Sequence, residues 1–147
     1  MSDAIQELAR RIASGEILQQ SAFPSDDSSL NAALESRYSP EFEDEWLRVA
    51  RDLEVLSIGK ELPQHELEAI QRAVYEKVFS FAPNPELCSL VSDDFELFGQ
   101  ALTLNYNDPW LVALLKSYID GKFPYRVSPI KTSMAAMLGC NSDLEKK

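Results

Sequence analysis

Runs of carboxylates are the residues of this 147-residue chain whose types and spacing could support chemistry. Asp26-Asp27, Glu43-Asp44-Glu45 and Asp93-Asp94 each place two or three acids side by side. Neighbouring carboxylates can hold a hard cation or divide acid and base roles between them. Each run also coincides with a predicted helix start, where acids cap free N–H groups and face the positive end of the helix dipole. We therefore interpret the runs as capping residues, and a small helical enzyme with a carboxylate-based metal site is the alternative.

Other reactive side chains are few and scattered. The single histidine, His65, falls in the first turn of a predicted helix, and the two cysteines, Cys88 and Cys140, have neither zinc-site nor CxxC spacing. All five glycines are isolated, so the chain has no P-loop or dinucleotide fingerprint, and it has no GxSxG serine elbow. We predict that the protein is not an enzyme, and we expect no cofactor and no bound metal.

Proline and glycine divide the chain into amphipathic segments with helical spacing of the apolar residues. The clearest segment follows Ser39-Pro40, where Phe42, Trp46, Val49, Leu53 and Leu56 mark one face until Gly59 ends the helix. No segment alternates as a strand would. The predicted helices begin at or near Asp3, Ser29, Pro40, Pro63, Glu86, Phe95 and Pro109. The pattern predicts an all-α fold, an irregular bundle of five to seven helices in a single domain.

Two predictions concern organisation and location. Residues 1–124 are expected to form the helical domain, and residues 125–147 a partly ordered C-terminal extension with one or two helical turns over 133–138. The N-terminus lacks the charged and apolar stretches of a secretory signal, and the longest purely apolar run is six residues, Trp110–Leu115. We therefore expect a cytoplasmic protein.

The charge balance bears on the kind of partner. The net charge is −10, and residues 78–115 contain no Lys, Arg or His. Such a field disfavours nucleic acids and anionic membranes, which bind by phosphate neutralisation, and it favours basic proteins. Acidity of this degree is also common in soluble proteins with no basic partner, where it serves only solubility.

The helix that begins at Pro40 predicts a contact surface, because its first turns carry four acids. Exposed aromatic residues beside acidic loops would supply binding energy. The residues predicted to bind a partner are Tyr38, Glu41, Glu43, Asp44, Glu45, Asp93, Asp94 and Tyr106. These features favour a non-catalytic acidic binding protein that acts by protein–protein contact, in concrete form a bacterial immunity protein or an inhibitor of a basic toxin. A homodimeric adaptor or structural subunit is a further alternative.

Overall fold

The computed structural model describes residues 3–24, 26–124 and 126–139. Within these residues the chain forms seven α-helices, one short 3₁₀ turn and no strand. The helices are α1 (Asp3–Ser14), α2 (Asp27–Arg37), α3 (Pro40–Leu56), α4 (Gln64–Phe81), α5 (Pro85–Leu104), α6 (Pro109–Ile119) and α7 (Met134–Met137), and the 3₁₀ turn is Gln20–Ala22. The prediction of an all-α bundle of five to seven helices is confirmed.

Prolines fix the starts of α3, α5 and α6. At the first helical position a proline loses nothing by lacking an N–H, since that group would have no partner within the helix. The residue before each proline caps the helix: the side chains of Ser39, Asn84 and Asp108 accept hydrogen bonds from backbone N–H groups of the first turn. These caps set where the three helices begin, and so which of their residues face one another.

Helix α5 is the central element and packs against α4, α3, α1 and α7. Phe95 and Phe98 of α5 meet Tyr118 of α6 in a cluster of fully buried rings, whose centroids lie 4.9 to 6.1 Å apart. Aromatic rings in tilted or edge-to-face contact stabilise a core beyond the area they bury. The core beneath α3 is therefore built largely from α5 and α6.

The predicted apolar face of α3 is present except at its end. Phe42, Val49 and Leu53 are buried and Trp46 is half-buried, but Leu56 is 40% exposed. An apolar stripe with a period of 3.5 residues drifts by about 20° per heptad around a straight helix, so its last member turns away from the core. The prediction that Leu56 points inward is therefore wrong.

The break predicted between two helices near Val91 is also wrong. The chain from Pro85 to Leu104 is one continuous helix, which ends where Asn105 adopts the left-handed conformation (φ 56°). Asp93 and Asp94 therefore lie in the middle of α5 and cannot cap a helix. No proline or glycine falls between Pro85 and Gly99, so nothing in the covalent chain interrupts the helix there.

The segment after residue 125 contacts the helical core. The N–H of Ile130 donates to the carbonyl oxygen of Pro109 at 3.0 Å, and the N–H of Met134 donates to Oδ1 of Asn107 at 2.8 Å. Met134 and Leu138 are buried. Cys140 and residues 141–147 lie outside the described residues. Of the helices that the structure describes, none is both long and apolar enough to span a bilayer.

Candidate functional site

The N-terminal half of α3 forms a ridge between two surface clefts. Successive residues of an α-helix are 100° apart, so a run of four acids in five positions cannot all face one way. Glu43 borders the cleft between α3 and α5, whereas Glu41, Asp44 and Glu45 border the cleft between α3 and α6. The four acids predicted as one patch are thus shared between two different surroundings.

The α3–α5 cleft has a volume of about 360 Å³. It is formed by the end of α2, the first turns of α3 and the first half of α5. Its walls combine aromatic and aliphatic side chains with carboxylates, and its lining residues are Arg37, Tyr38, Phe42, Glu43, Trp46, Leu47, Glu86, Ser89, Leu90 and Asp93. Three residues of the predicted contact surface, Tyr38, Glu43 and Asp93, therefore meet in one concave site.

Three carboxylates of this cleft lack a cationic partner. Glu43, Glu86 and Asp93 are exposed, and none of them forms an ion pair with any residue the structure describes. The hydroxyl of Tyr38 donates a hydrogen bond to Oε2 of Glu86, and this bond is the main reason why the pKa of Tyr38 is raised. Glu43 adds to that rise through its charge. The site is consequently electronegative, and its most exposed ring is held in place by one of its acids.

The floor of the cleft is closed by a buried ion pair. Nη2 of Arg37 donates to Oδ1 of Asp94 at 2.8 Å, and the side chains are 3% and 0% exposed. Nε1 of Trp46 donates to the same oxygen at 2.9 Å, and the hydroxyl of Tyr118 donates to Oδ2 at 2.7 Å. Asp94 therefore joins α2, α3, α5 and α6 through three hydrogen bonds.

The pKa shifts of this network follow from its burial and its charges. Burial by itself would lower the pKa of the Arg37 guanidinium, but the charges and hydrogen bonds of Asp94 and Tyr118 together outweigh burial, and the pKa is raised. The pKa of Tyr118 is raised well above its usual value, mainly by burial and then by the charge of Asp94. Arg37 thus stays a cation, Asp94 cancels its charge, and the pair adds no net charge to the cleft.

Two nitrogens of Arg37 have no hydrogen-bond partner among the described residues. Nε and Nη1 are both buried. The guanidinium carbon lies 4.2 Å from the centroid of the Phe42 ring and 5.6 Å from that of Phe123. Aromatic faces attract a cation, which offsets part of the cost of the missing hydrogen bonds. The side chain is therefore held by Asp94 on one side and by aromatic rings on the others.

The α3–α6 cleft is larger, about 980 Å³, but two arginines offset part of the charge of its acids. Arg48 donates to Oε1 of Glu45 at 2.6 Å and to Asp108 at 2.9 and 3.1 Å. Asp108 also caps α6, and Arg126 lines the same cleft. Glu41 and Asp44 are the acids of this cleft without an ion pair in the described part of the chain. It is therefore less electronegative than the smaller α3–α5 cleft.

Tyr106 and Asp94 line neither of the two clefts. The hydroxyl of Tyr106 donates to Oδ2 of Asp52 at 2.7 Å, on the side of α3 that carries Arg48. Asp94 is completely buried, so its predicted role as a surface contact residue is wrong: its carboxylate is fully engaged by Arg37, Trp46 and Tyr118.

Sequence reasoning missed Glu86 and Leu47 as members of the site. The sequence predicts Glu86 only as the start of a helix, although its place directly after Asn84-Pro85 resembles that of Glu41 after Ser39-Pro40. Leu47 lies on the polar side of α3 and is 47% exposed. The sequence signal for Leu47 is that it is apolar but does not follow the helical spacing of the buried face of α3. We call Tyr38, Glu41, Glu43, Asp44, Leu47, Glu86 and Asp93 together the acidic face.

Replacing Asp93 with asparagine should stabilise the protein. The residue is exposed, but neighbouring atoms partly desolvate its carboxyl, and this is the main reason why the pKa of the carboxyl is raised from 3.8; the charges of Glu96 and Asp94 add to it. A carboxyl with a higher pKa in the folded than in the unfolded chain costs stability wherever it is ionised in the folded state. The gain is small because the residue is exposed and water screens its charge. We expect Asp93→Asn to raise Tm at pH 7 by about 1–2 °C, corresponding to about 0.5 kcal/mol or less.

The gain from Asp93→Asn should shrink as the pH falls through the raised pKa and vanish below 3.8, where the carboxyl is neutral in both states. Thermal unfolding followed by circular dichroism between pH 3 and pH 7 measures this difference. A gain of the same size at every pH would show that charge is not its cause.

Within the described residues, no three His, Cys, Asp or Glu side chains lie close enough to hold one metal ion.

A comparison with protein-family models finds one whose description is Immunity protein PIM1, and it matches residues 7–125. No curated protein matches the chain. The matched range includes α2 to α6 entirely, and hence every residue of both clefts except those after residue 125.

Proposed function

The chain belongs to the Immunity protein PIM1 family, and we propose that it protects a bacterial cell by binding a basic toxin through the acidic face. Membership in an immunity protein family implies a toxin as the protein partner. The basic character of that toxin is our inference from the charges on this chain. The observation that carries it is a group of three carboxylates around one aromatic cleft, Glu43, Glu86 and Asp93, which form no ion pair within the part of the chain that the structure describes.

Unpaired acids on a folded surface favour a partner of opposite charge. The net charge of −10 gives long-range attraction, and the acidic face gives that attraction a location. Exposed Glu41 and Asp44 lie on the same ridge as Glu43 and extend the negative region across the first turns of α3. Charges of this kind raise the rate of association more than they raise the affinity.

Exposed apolar residues next to the acidic face would supply affinity. Leu47 lines the α3–α5 cleft, Val55 lies two turns further along α3 and is 61% exposed, and Ile58 lies in the turn after α3 and is 74% exposed. Apolar side chains at positions i and i+8 lie about 80° apart, on the same side of a helix. Contacts that combine an apolar centre with a charged rim are typical of tight protein complexes. This arrangement supports binding by contact rather than catalysis.

The proposal predicts a strong dependence of toxin binding on salt. The toxin is captured from the native cell with the purified chain as bait, and its association rate with the chain is then measured by stopped-flow Trp fluorescence. The Debye length falls from about 10 Å at 0.1 M salt to about 3 Å at 1 M. We expect the rate to fall by about tenfold or more over this range. Protection from the toxin with a rate that does not change with salt would contradict a basic partner.

A further inference from the structure

We infer that the α3–α5 cleft is the receptor for a single arginine side chain of the toxin. This inference rests on the proposed function and names the group that would enter the site. An arginine side chain has an apolar stem and a planar cation with five N–H donors. The cleft offers a matching gradient, from apolar walls at its base to unpaired carboxylates at its mouth.

Burial separates the two kinds of group in the cleft. Phe42 is buried, Trp46 and Leu90 are half-buried, and all three line the walls. Glu43 and Asp93 are exposed and lie on opposite sides, on α3 and α5. A long cationic side chain places its methylene groups against apolar atoms and its charged end near acids. A short or neutral side chain would leave the carboxylates without a partner.

Charge complementarity at the mouth selects a cation. Glu43, Glu86 and Asp93 carry three negative charges, and the one basic residue of the lining, Arg37, is already neutralised by Asp94. A guanidinium that enters the cleft would therefore form ion pairs with acids that have none among the described residues. Hydrogen bonds between ionised donors and carboxylates are stronger than those between neutral groups. A guanidinium can also form two parallel hydrogen bonds with one carboxylate.

The exposed ring of Tyr38 favours guanidinium over ammonium. Tyr38 is 48% exposed and its hydroxyl is held by Glu86, so its ring is fixed beside the acids. A guanidinium stacks on aromatic faces, which a compact, strongly hydrated ammonium does less well. The chain already contains one such contact, because Arg37 lies over Phe42 in the layer beneath.

The two tryptophans of the chain provide a direct test. Trp46 lines the α3–α5 cleft and Trp110 lines the α3–α6 cleft, so two indole N–H signals in a ¹⁵N-labelled sample report on the two sites separately. The probe is arginine blocked at both ends, N-acetyl-arginine-N-methylamide, in the millimolar range. We expect the Trp46 signal to move and saturate while the Trp110 signal stays in place. Blocked citrulline, which is neutral and nearly the same shape, should move neither, and blocked lysine should bind more weakly.

Matched variants locate the binding in the cleft. Glu86→Gln with Asp93→Asn should weaken binding of the blocked arginine by about tenfold or more, whereas Glu61→Gln with Glu68→Gln removes the same charge at exposed positions outside the acidic face and should leave it unchanged. Any of three results would overturn the inference: a shift of the Trp46 signal with blocked citrulline equal to that with blocked arginine, a shift of the Trp110 signal alone, or unchanged affinity for blocked arginine in the Glu86→Gln with Asp93→Asn variant. If those results come from a chain that still neutralises the toxin, the inference fails and the proposed function stands. If the chain neither binds nor neutralises the toxin, the proposed function itself fails.

Discussion

Replacing Asp94 with alanine should lower the free energy of unfolding by about 3–5 kcal/mol. The side chain of Arg37 is 3% exposed, and Asp94 is the residue with which it forms an ion pair. Without Asp94 a full positive charge stays buried beside aromatic rings, and Trp46 and Tyr118 each lose a hydrogen-bond acceptor. Burying an uncompensated charge is among the largest costs that a single substitution can impose.

Urea unfolding at pH 7 measures this loss, and the sequence supplies a matched control. Asp93→Asn alters the neighbouring residue of the same helix, which is exposed, and we expect a small gain there. Arg37→Met combined with Asp94→Leu should recover part of the lost stability, because no unpaired charge then remains in the core, although Trp46 and Tyr118 still lack an acceptor. A loss below about 1 kcal/mol for Asp94→Ala would show that water or movement of Arg37 satisfies the charge, and that the network does not hold the floor of the cleft.

Reversing two charges at the mouth of the α3–α5 cleft should slow toxin association by about 100-fold at low salt. The variant is Glu43→Lys with Asp93→Lys, which turns an attractive site into a repulsive one. Both residues are exposed and have no ion pair within the described chain, so the fold should tolerate the change. The measurement is the association rate with the toxin, after circular dichroism has shown unchanged helix content.

A second charge reversal separates the position of the charges from their number. Glu61→Lys with Glu68→Lys changes the net charge by the same amount at exposed positions outside the acidic face. We expect this control to slow association only a few-fold, as a weakened long-range field would. Equal slowing in the two variants would mean that net charge alone guides the toxin, and that the acidic face is not where it binds.

The fold was predictable from the sequence because its main determinants are local. Prolines after capping residues mark the starts of α3 and α6, and the spacing of Phe42, Val49 and Leu53 gives the buried face of α3. The acids at the start of α3 were also predictable, because they follow directly after Pro40. Their division between two clefts was not predictable, since it depends on which neighbouring helix lies on each side of α3.

The buried network was not predictable because its partners are distant in sequence. Arg37 and Asp94 are 57 residues apart, and Trp46 and Asp94 are 48 apart. Nothing local distinguishes Asp94 from Asp93, although one is completely buried and the other is exposed. Their positions 100° apart on an uninterrupted α5 make the difference. Because the sequence pattern predicts a break inside α5, it predicts neither the burial of Asp94 nor the cleft above that residue.

The most direct test of the account is hydrogen–deuterium exchange of the chain with and without the toxin. Binding through the acidic face predicts slower exchange in peptides covering residues 37–47 and 85–93, which include Tyr38, Glu43 and Asp93. It predicts unchanged exchange in α1 and α4. Protection confined to α1 or α4, with residues 37–47 and 85–93 exchanging as in the free chain, would contradict it.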